Sequence, residues 1–162
     1  MQDRPSEIYG LMVPLENENL LVPRGCVAEV VGYQTPQEMT GAPPWHLGVI
    51  NWNGRKVPLV SFEGCCGQNV APPTQRSRVV VLNAVSGDVD AGYLALLSQG
   101  FPQLVRVSPE FVKLDAARTF AAGSPVACQV HLLDESPLIP DLDRLEEMVA
   151  AETVDLSDDT QN

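Results

Sequence analysis

The chain has 162 residues, 44% of them hydrophobic, and carries 21 acidic against 10 basic side chains for a net charge of −11. So acidic a chain lacks the basic surface that phosphate binding needs, which argues against nucleic acid as a partner, and no apolar run approaches the ~18 residues of a transmembrane helix. Fourteen prolines and twelve glycines among short β-rich runs favour an all-β architecture, and the length allows one domain or two small lobes sharing a core.

The opening Met1-Gln2-Asp3-Arg4-Pro5-Ser6-Glu7 shows no secretory pattern. A cytoplasmic location is therefore expected, with Cys26, Cys65, Cys66 and Cys128 reduced. Ile8 to Pro14 and Leu20 to Pro23 read as a hairpin closed by the polar turn Glu16-Asn17-Glu18-Asn19. Arg24 to Tyr33 follows, its Val27, Val30 and Val31 favouring a strand over a helical turn. Pro36, Gly41, Pro43 and Pro44 make 34–44 a loop.

Trp45 to Phe62 is the stretch around which the rest is organised. Asn53-Gly54 suits a type I′ turn between two β-rich runs, which pairs Trp52 with Arg55, Ile50 with Val57, Val49 with Pro58 and Gly48 with Leu59. Alternation then places Trp52, Ile50, Val57 and Leu59 on one face and Leu47, Val49, Pro58 and Val60 on the other. Both faces are apolar, so both need cover, as in a barrel wall backed by a second lobe or a partner. Pro58 lacks an N–H on the side away from its hairpin partner, so the next strand is absent, bulged or irregular there.

Glu63 to Ser77, with Gly64, Gly67 and Pro72-Pro73, is the expected linker between lobes. Arg78 to Ala84 is a strand apolar enough to be buried on both faces, Val85 to Ala91 a turn, and Gly92 to Leu97 another strand. Gln103 to Val107 is a short strand, 110–123 irregular, and Pro125 to Leu133 a strand with period-two alternation. Asp141 to Ala151 is the one helix, with Leu142, Leu145, Met148 and Val149 on one stripe. From Asp134 onward ten acids face one base, Arg144, which supplies −9 of the net charge and reads as a solvated, partly disordered end.

Catalytic chemistry is poorly provided for. His46 and His131 have no partner visible in the sequence and read as packing or solvated rings. No phosphate-binding glycine motif occurs, and the carboxylates gather in the tail rather than pairing in a cleft. Cys65-Cys66 is a poor zinc chelator, since tetrahedral sites use separated ligands. A thiol-based redox sensor at Cys65 and Cys66 is the alternative function; it demands a depressed thiol pKa. Binding remains, and Val27, Val30, Trp45, Trp52, Leu96 and Phe101 serve either as core or as contact residues.

The central run resembles the CheW family of chemotaxis coupling proteins, whose signature here reads G-V-I-N-L-R-G-x-x-x-P-V-x-D-L. This sequence gives Gly48-Val49-Ile50-Asn51-Trp52-Asn53-Gly54-Arg55-Lys56-Val57-Pro58-Leu59-Val60-Ser61-Phe62. Pro44-Trp45-His46-Leu47 resembles the family lead-in, Val27-Ala28-Glu29-Val30 its V-x-E-I segment, and Arg78 to Asn83 its I-V-V-L strand. Gln103 to Glu110 is similar to E-V-x-x-I-x-P-E, and Val130 to Leu145 to the closing I-L-D-x-x-x-L. Asn53 replaces an arginine that lies near the family's receptor and kinase contacts, Ser61 replaces an aspartate, and Ala95-Leu96-Leu97-Ser98-Gln99 lacks the glycine and aspartate of G-L-x-V-D.

The resemblance implies two SH3-like five-stranded β-barrels sharing a hydrophobic junction, with a short C-terminal helix. Residues 1–150 would form a single domain, with first-lobe core about 24–67, second-lobe core about 76–133, and an acidic tail over 151–162. It implies a non-enzymatic adaptor without cofactor, recruited to membrane-associated arrays. Its partners would be the cytoplasmic tip of a chemoreceptor, held helix-in-groove, and the regulatory domain of a CheA-type histidine kinase. A regulatory domain severed from such a kinase is a further alternative. Val27, Glu29, Val30 and Asn53 carry over as contact residues and Gly54 as turn former. The departures point to a divergent accessory member of the kind found in type IV pilus (twitching) systems.

Overall fold

The computed structural model describes residues 8–87, 89 and 91–159, with side chains described as far as Glu152. Its strands are β1 (Ile8–Pro14), β2 (Asn19–Pro23), β3 (Val27–Gly32), β4 (His46–Trp52), β5 (Arg55–Val60), β6 (Arg78–Asn83), β7 (Tyr93–Ser98), β8 (Gln103–Val107), β9 (Val112–Leu114), β10 (Val126–Leu132) and β11 (Leu138–Pro140). Two helices join them, α1 (Phe62–Cys65) and α2 (Leu142–Asp159). The strands divide into a five-stranded sheet, β3-β6-β7-β5-β4, and a six-stranded one, β8-β1-β2-β11-β10-β9. The all-β class with a C-terminal helix is the one expected.

The β4–β5 hairpin forms in the anticipated register, Trp52 against Arg55 through Gly48 against Leu59. Asn53 and Gly54 supply φ of 48° and 74°, the left-handed pair that a type I′ turn requires. β5 then pairs in parallel with β7 only at Leu59 and Val60, so that ladder begins one residue past the N–H that Pro58 lacks.

The five-stranded sheet curls until its edges meet. Beyond β3, Gln37 exchanges both backbone hydrogen bonds with Val49 at 2.9 Å each. Nearer the tip, the Gln34 amide donates to the Asn51 carbonyl at 3.0 Å and accepts from the Asn51 N–H at 3.1 Å, standing in for a strand backbone. Inside lies a core of Ile50, Val57, Leu59, Val79, Val81, Ala95 and Leu97. Burying each of its larger aliphatic side chains is worth about 1.5–3 kcal/mol relative to exposure.

The alternate residues of the same strands, Val60, Val80, Leu82, Leu94 and Leu96, face outward into a second core. There they meet Leu11, Val13, Leu20 and Val22 of the six-stranded sheet and Leu145 and Val149 of α2. This is why the 78–83 and 93–98 runs are apolar at every position: each strand walls two cores. Polar ties cross the junction. The Gln99 N–H donates to the Pro14 carbonyl at 2.8 Å, and the buried Glu63 carboxylate accepts from the Glu16 N–H at 3.0 Å.

Several expectations need correction. The 63–77 segment does not separate lobes, because β6 and β7 return to the sheet of β3–β5. The five-stranded unit therefore runs from 27 to 98, and β1 and β2 belong with the C-terminal strands. Leu47 packs on the barrel core rather than beside Val49, since a bulge between His46 and Gly48 re-phases β4. Gly48 sits at φ 131° there, and a Cβ would run into the Gln37 carbonyl. The irregular 110–123 segment contains β9, and β11 forms despite Pro137 and Pro140. α2 extends past Ala151 to Asp159, so the tail expected to be partly disordered begins as helix; residues 160–162 lie outside the described residues. Glu146, counted with the solvated acids, is 1% exposed and accepts from the Val85 and Ser86 N–H groups at 3.3 and 2.9 Å.

Candidate functional site

The chain leaves β2 at Pro23, makes a 3₁₀ turn over Arg24–Cys26, and enters β3, passing from the six-stranded sheet to the five-stranded one. A groove of about 680 Å³ opens at this crossing. β1 contributes Tyr9 and Leu11, β8 contributes Leu104, the turn Arg24 and Gly25, and β3 contributes Val27, Ala28 and Val30. Leu104 and Tyr9 are 54% and 42% exposed, and Val30 is exposed beside them, so the walls are apolar surface open to solvent. Among the described residues Arg24 is the one charged side chain of the lining.

Of the residues anticipated as contacts, Val27 and Val30 come together in this groove. Glu29 does not join them. Its Oε1 accepts from Trp52 Nε1 at 2.8 Å, which ties it to the base of the β4–β5 turn. Asn53 and Gly54 stand exposed at that turn, outside the groove lining. Trp52 meets Tyr93 edge-on with centroids 4.8 Å apart, and Arg55 lies over the same ring at 5.5 Å while donating to the Ala91 carbonyl at 3.3 Å. The anticipated set thus falls into two places, an apolar groove and a polar hairpin tip.

Tyr9, Leu11, Arg24 and Leu104 escaped the sequence reading. Leu104 left a trace, because it shares the parity of exposed Arg106 rather than that of half-buried Val105 and Val107. An apolar residue at a solvent-parity position is a surface signal. Tyr9 and Leu11 left none, since their role depends on where two sheets cross.

The thiol chemistry is the reverse of what a redox sensor needs. Burial, with the neighbouring Cys66 and Glu63 charges, pushes the Cys65 thiol far above its ordinary value. Cys66 is pushed up to about 11 by burial and by Glu18 and Glu63. Both stay protonated and pack against the shared core, so the redox alternative is set aside. His46 is buried and its pKa is lowered by that burial. His131 contacts Ser136 Oγ at 2.9 Å and Asp115 Oδ2 at 3.1 Å on the surface, joining β10 to the segment after β9. Among the described residues no group of three His, Cys, Asp or Glu side chains is placed to hold a metal ion, and no helix is long and apolar enough to cross a membrane.

A family model described as a CheW-like domain matches residues 9–148. A chemotaxis protein CheW of Rhizobium meliloti (strain 1021) is 30% identical over 103 residues, which cover 60% of this chain and 63% of that protein, under two thirds of its length. The crystal structure of the scaffolding protein TtCheW from Thermoanaerobacter tengcongensis superposes with a TM-score of 0.71 over 88% of this chain and 89% of that one. At 15% identity, that likeness is one of fold.

Proposed function

The chain belongs to the CheW-like domain family, and from that premise we propose that it is a non-enzymatic adaptor linking chemoreceptor tips to a CheA-type histidine kinase. The observation that carries the reading is the open apolar groove between two sheets, about 680 Å³, with Val27, Val30, Tyr9 and Leu104 on its walls. Such a groove suits the apolar stripe of a helical hairpin, and we assign it to the receptor. The two lobes of the adaptor are, in this reading, the five-stranded barrel and the six-stranded sheet.

Glu29, Asn53 and Gly54 form a second contact region at the hairpin tip. Asn53, where the family carries arginine, cannot offer a bidentate guanidinium fork, and Ser61, where the family carries aspartate, caps α1 by accepting from the Gly64 N–H at 3.1 Å. These departures favour an accessory member serving a type IV pilus (twitching) system. The protein works in the cytoplasm, recruited to membrane-associated receptor arrays.

The experiment is a pull-down with a purified receptor-tip hairpin. Val27 is half-buried at the groove wall, so Val27→Glu places a charge against the partner's apolar stripe. We expect retention to be lost while the circular dichroism keeps its folded signature, with a modest fall in melting temperature because Val27 also packs against the shared core. Full retention by a folded Val27→Glu protein refutes the groove assignment.

A further inference from the structure

On the other face of the β1–β8 ribbon lies a cluster that the groove does not use. Leu11 pairs with Leu104 and Met12 with Gln103. Alternation sends the first pair to the groove and the second to a separate cavity of about 380 Å³, lined also by Arg76 and Phe101. Phe101, 45% exposed, carries two guanidinium groups over its ring, Arg78 at 4.2 Å and Arg76 at 5.2 Å from the centroid.

Two fully buried serines set the backbone beneath this cluster. Ser98 Oγ accepts from the Arg78 N–H at 3.2 Å and donates to the Gly100 carbonyl at 2.7 Å, which fixes the connector bearing Phe101. Ser77 Oγ accepts from the Thr74 N–H at 2.8 Å, and Thr74 Oγ1 accepts from the Arg76 N–H at 3.1 Å. Arg78 Nη1 donates to the Ser77 carbonyl at 2.8 Å. Stacking occupies the faces of the guanidinium groups, and beyond the Nη1 donor that Arg78 gives to Ser77 the remaining N–H edges are left for an acceptor. Among the described residues neither arginine forms an ion pair, in a chain whose net charge is −11. Among the described residues the one carboxylate in the cavity lining, Glu135, accepts from Asn19 Nδ2 at 3.0 Å.

We propose that Arg76, Phe101 and Arg78 form a docking site for an acidic segment of a partner protein, its aspartate or glutamate side chains meeting the guanidinium edges. Charge complementarity selects the occupant: two guanidinium groups against one cavity carboxylate draw in an acidic segment, while the net charge of −11 on each copy opposes the approach of a second copy of this chain. The site is independent of the groove, so both can be filled at once.

The test is fluorescence anisotropy with a labelled Glu-rich peptide containing one leucine, against the same peptide with every Glu replaced by Gln. The acidic peptide should bind, and more weakly as salt is raised. The double variant Arg76→Ala, Arg78→Ala should weaken it roughly tenfold or more, with the melting temperature unchanged. Arg78→Lys keeps the charge but loses the fork, and should fall between the two. Val27→Glu should bind the peptide as wild type does, which separates this site from the groove. Absence of binding, equal binding of the Gln peptide, an unaffected double variant, or displacement of the peptide by inorganic phosphate at comparable concentration each overturns the proposal, the last by marking a simple anion site.

Discussion

His46 is the least comfortable side chain in the fold, and its replacement is a sharp test of the packing described. It opens β4 at 6% exposure, beside Trp45 with ring centroids 5.9 Å apart, and among the described residues neither ring nitrogen has a hydrogen-bond partner beyond a contact with its own backbone. An imidazole always carries at least one N–H, and a buried unsatisfied polar group costs ~1–3 kcal/mol. His46→Ile removes that penalty at similar volume and suits a strand. We expect a gain of about 1–2 kcal/mol at neutral pH, or roughly 2–8 °C in melting temperature for a chain of this size. The pH dependence adds a second readout. Burial lowers the folded pKa below the ordinary 6.5, so the unfolded chain binds more protons as pH falls. The stability associated with neutral His46 is present above pH 6.5 and is lost below it, by at most about 1.4 kcal/mol per pH unit. Thermal melts of both proteins from pH 8 to pH 5 decide the matter. A His46→Ile protein that melts lower at pH 8, or that loses stability below pH 6.5 as steeply as wild type, refutes the reasoning.

Three further outcomes follow from single contacts. Glu146→Ala removes a 1%-exposed side chain that accepts from the Val85 and Ser86 N–H groups and should cost about 1–3 kcal/mol in urea unfolding; Glu146→Gln, which keeps an acceptor, should cost less. A wild-type midpoint for Glu146→Ala would mean that the carboxylate is solvated after all. Gly48→Ala meets a left-handed φ and the Gln37 carbonyl together, so it should destabilise by about 2 kcal/mol or more and speed amide exchange at Gln37. In the native protein at pH 8, Cys66 and Cys65 should react with a disulfide reagent far more slowly than in urea, because both thiols are held protonated. Rapid native reaction at either would restore the thiol-sensor reading.

The β4–β5 hairpin was legible to the residue because Asn53-Gly54 states a turn type and the turn states the register. The division into lobes was not. Val79 through Leu82 reads as buried on both faces, but nothing local says that one face lines the barrel and the other the shared junction. A proline-rich connector such as 63–77 looks like a boundary whether it joins two sheets or returns to the same one. β11 was hidden by Pro137 and Pro140, which an edge or short strand tolerates and a sequence count penalises. Glu146 reads as surface charge because composition cannot show which carboxylates find backbone donors.

The groove was half legible for a reason that lies in β3 itself. Strict alternation would set Val27, Glu29 and Val31 on one face and Ala28 and Val30 on the other. A register shift between Val27 and Glu29 changes the phase. Val27 thereby joins Ala28 and Val30 on the groove wall, while Glu29 reaches Trp52 and Val31 packs on the barrel core. One residue of irregularity thus lets a single strand wall both the barrel and the groove. Because Val31 and Glu29 anchor the strand on its inner side, Val27 and Val30 are held at fixed spacing on the outer side. A partner meets a surface whose geometry is set by the barrel core, so little ordering of this wall remains to oppose binding.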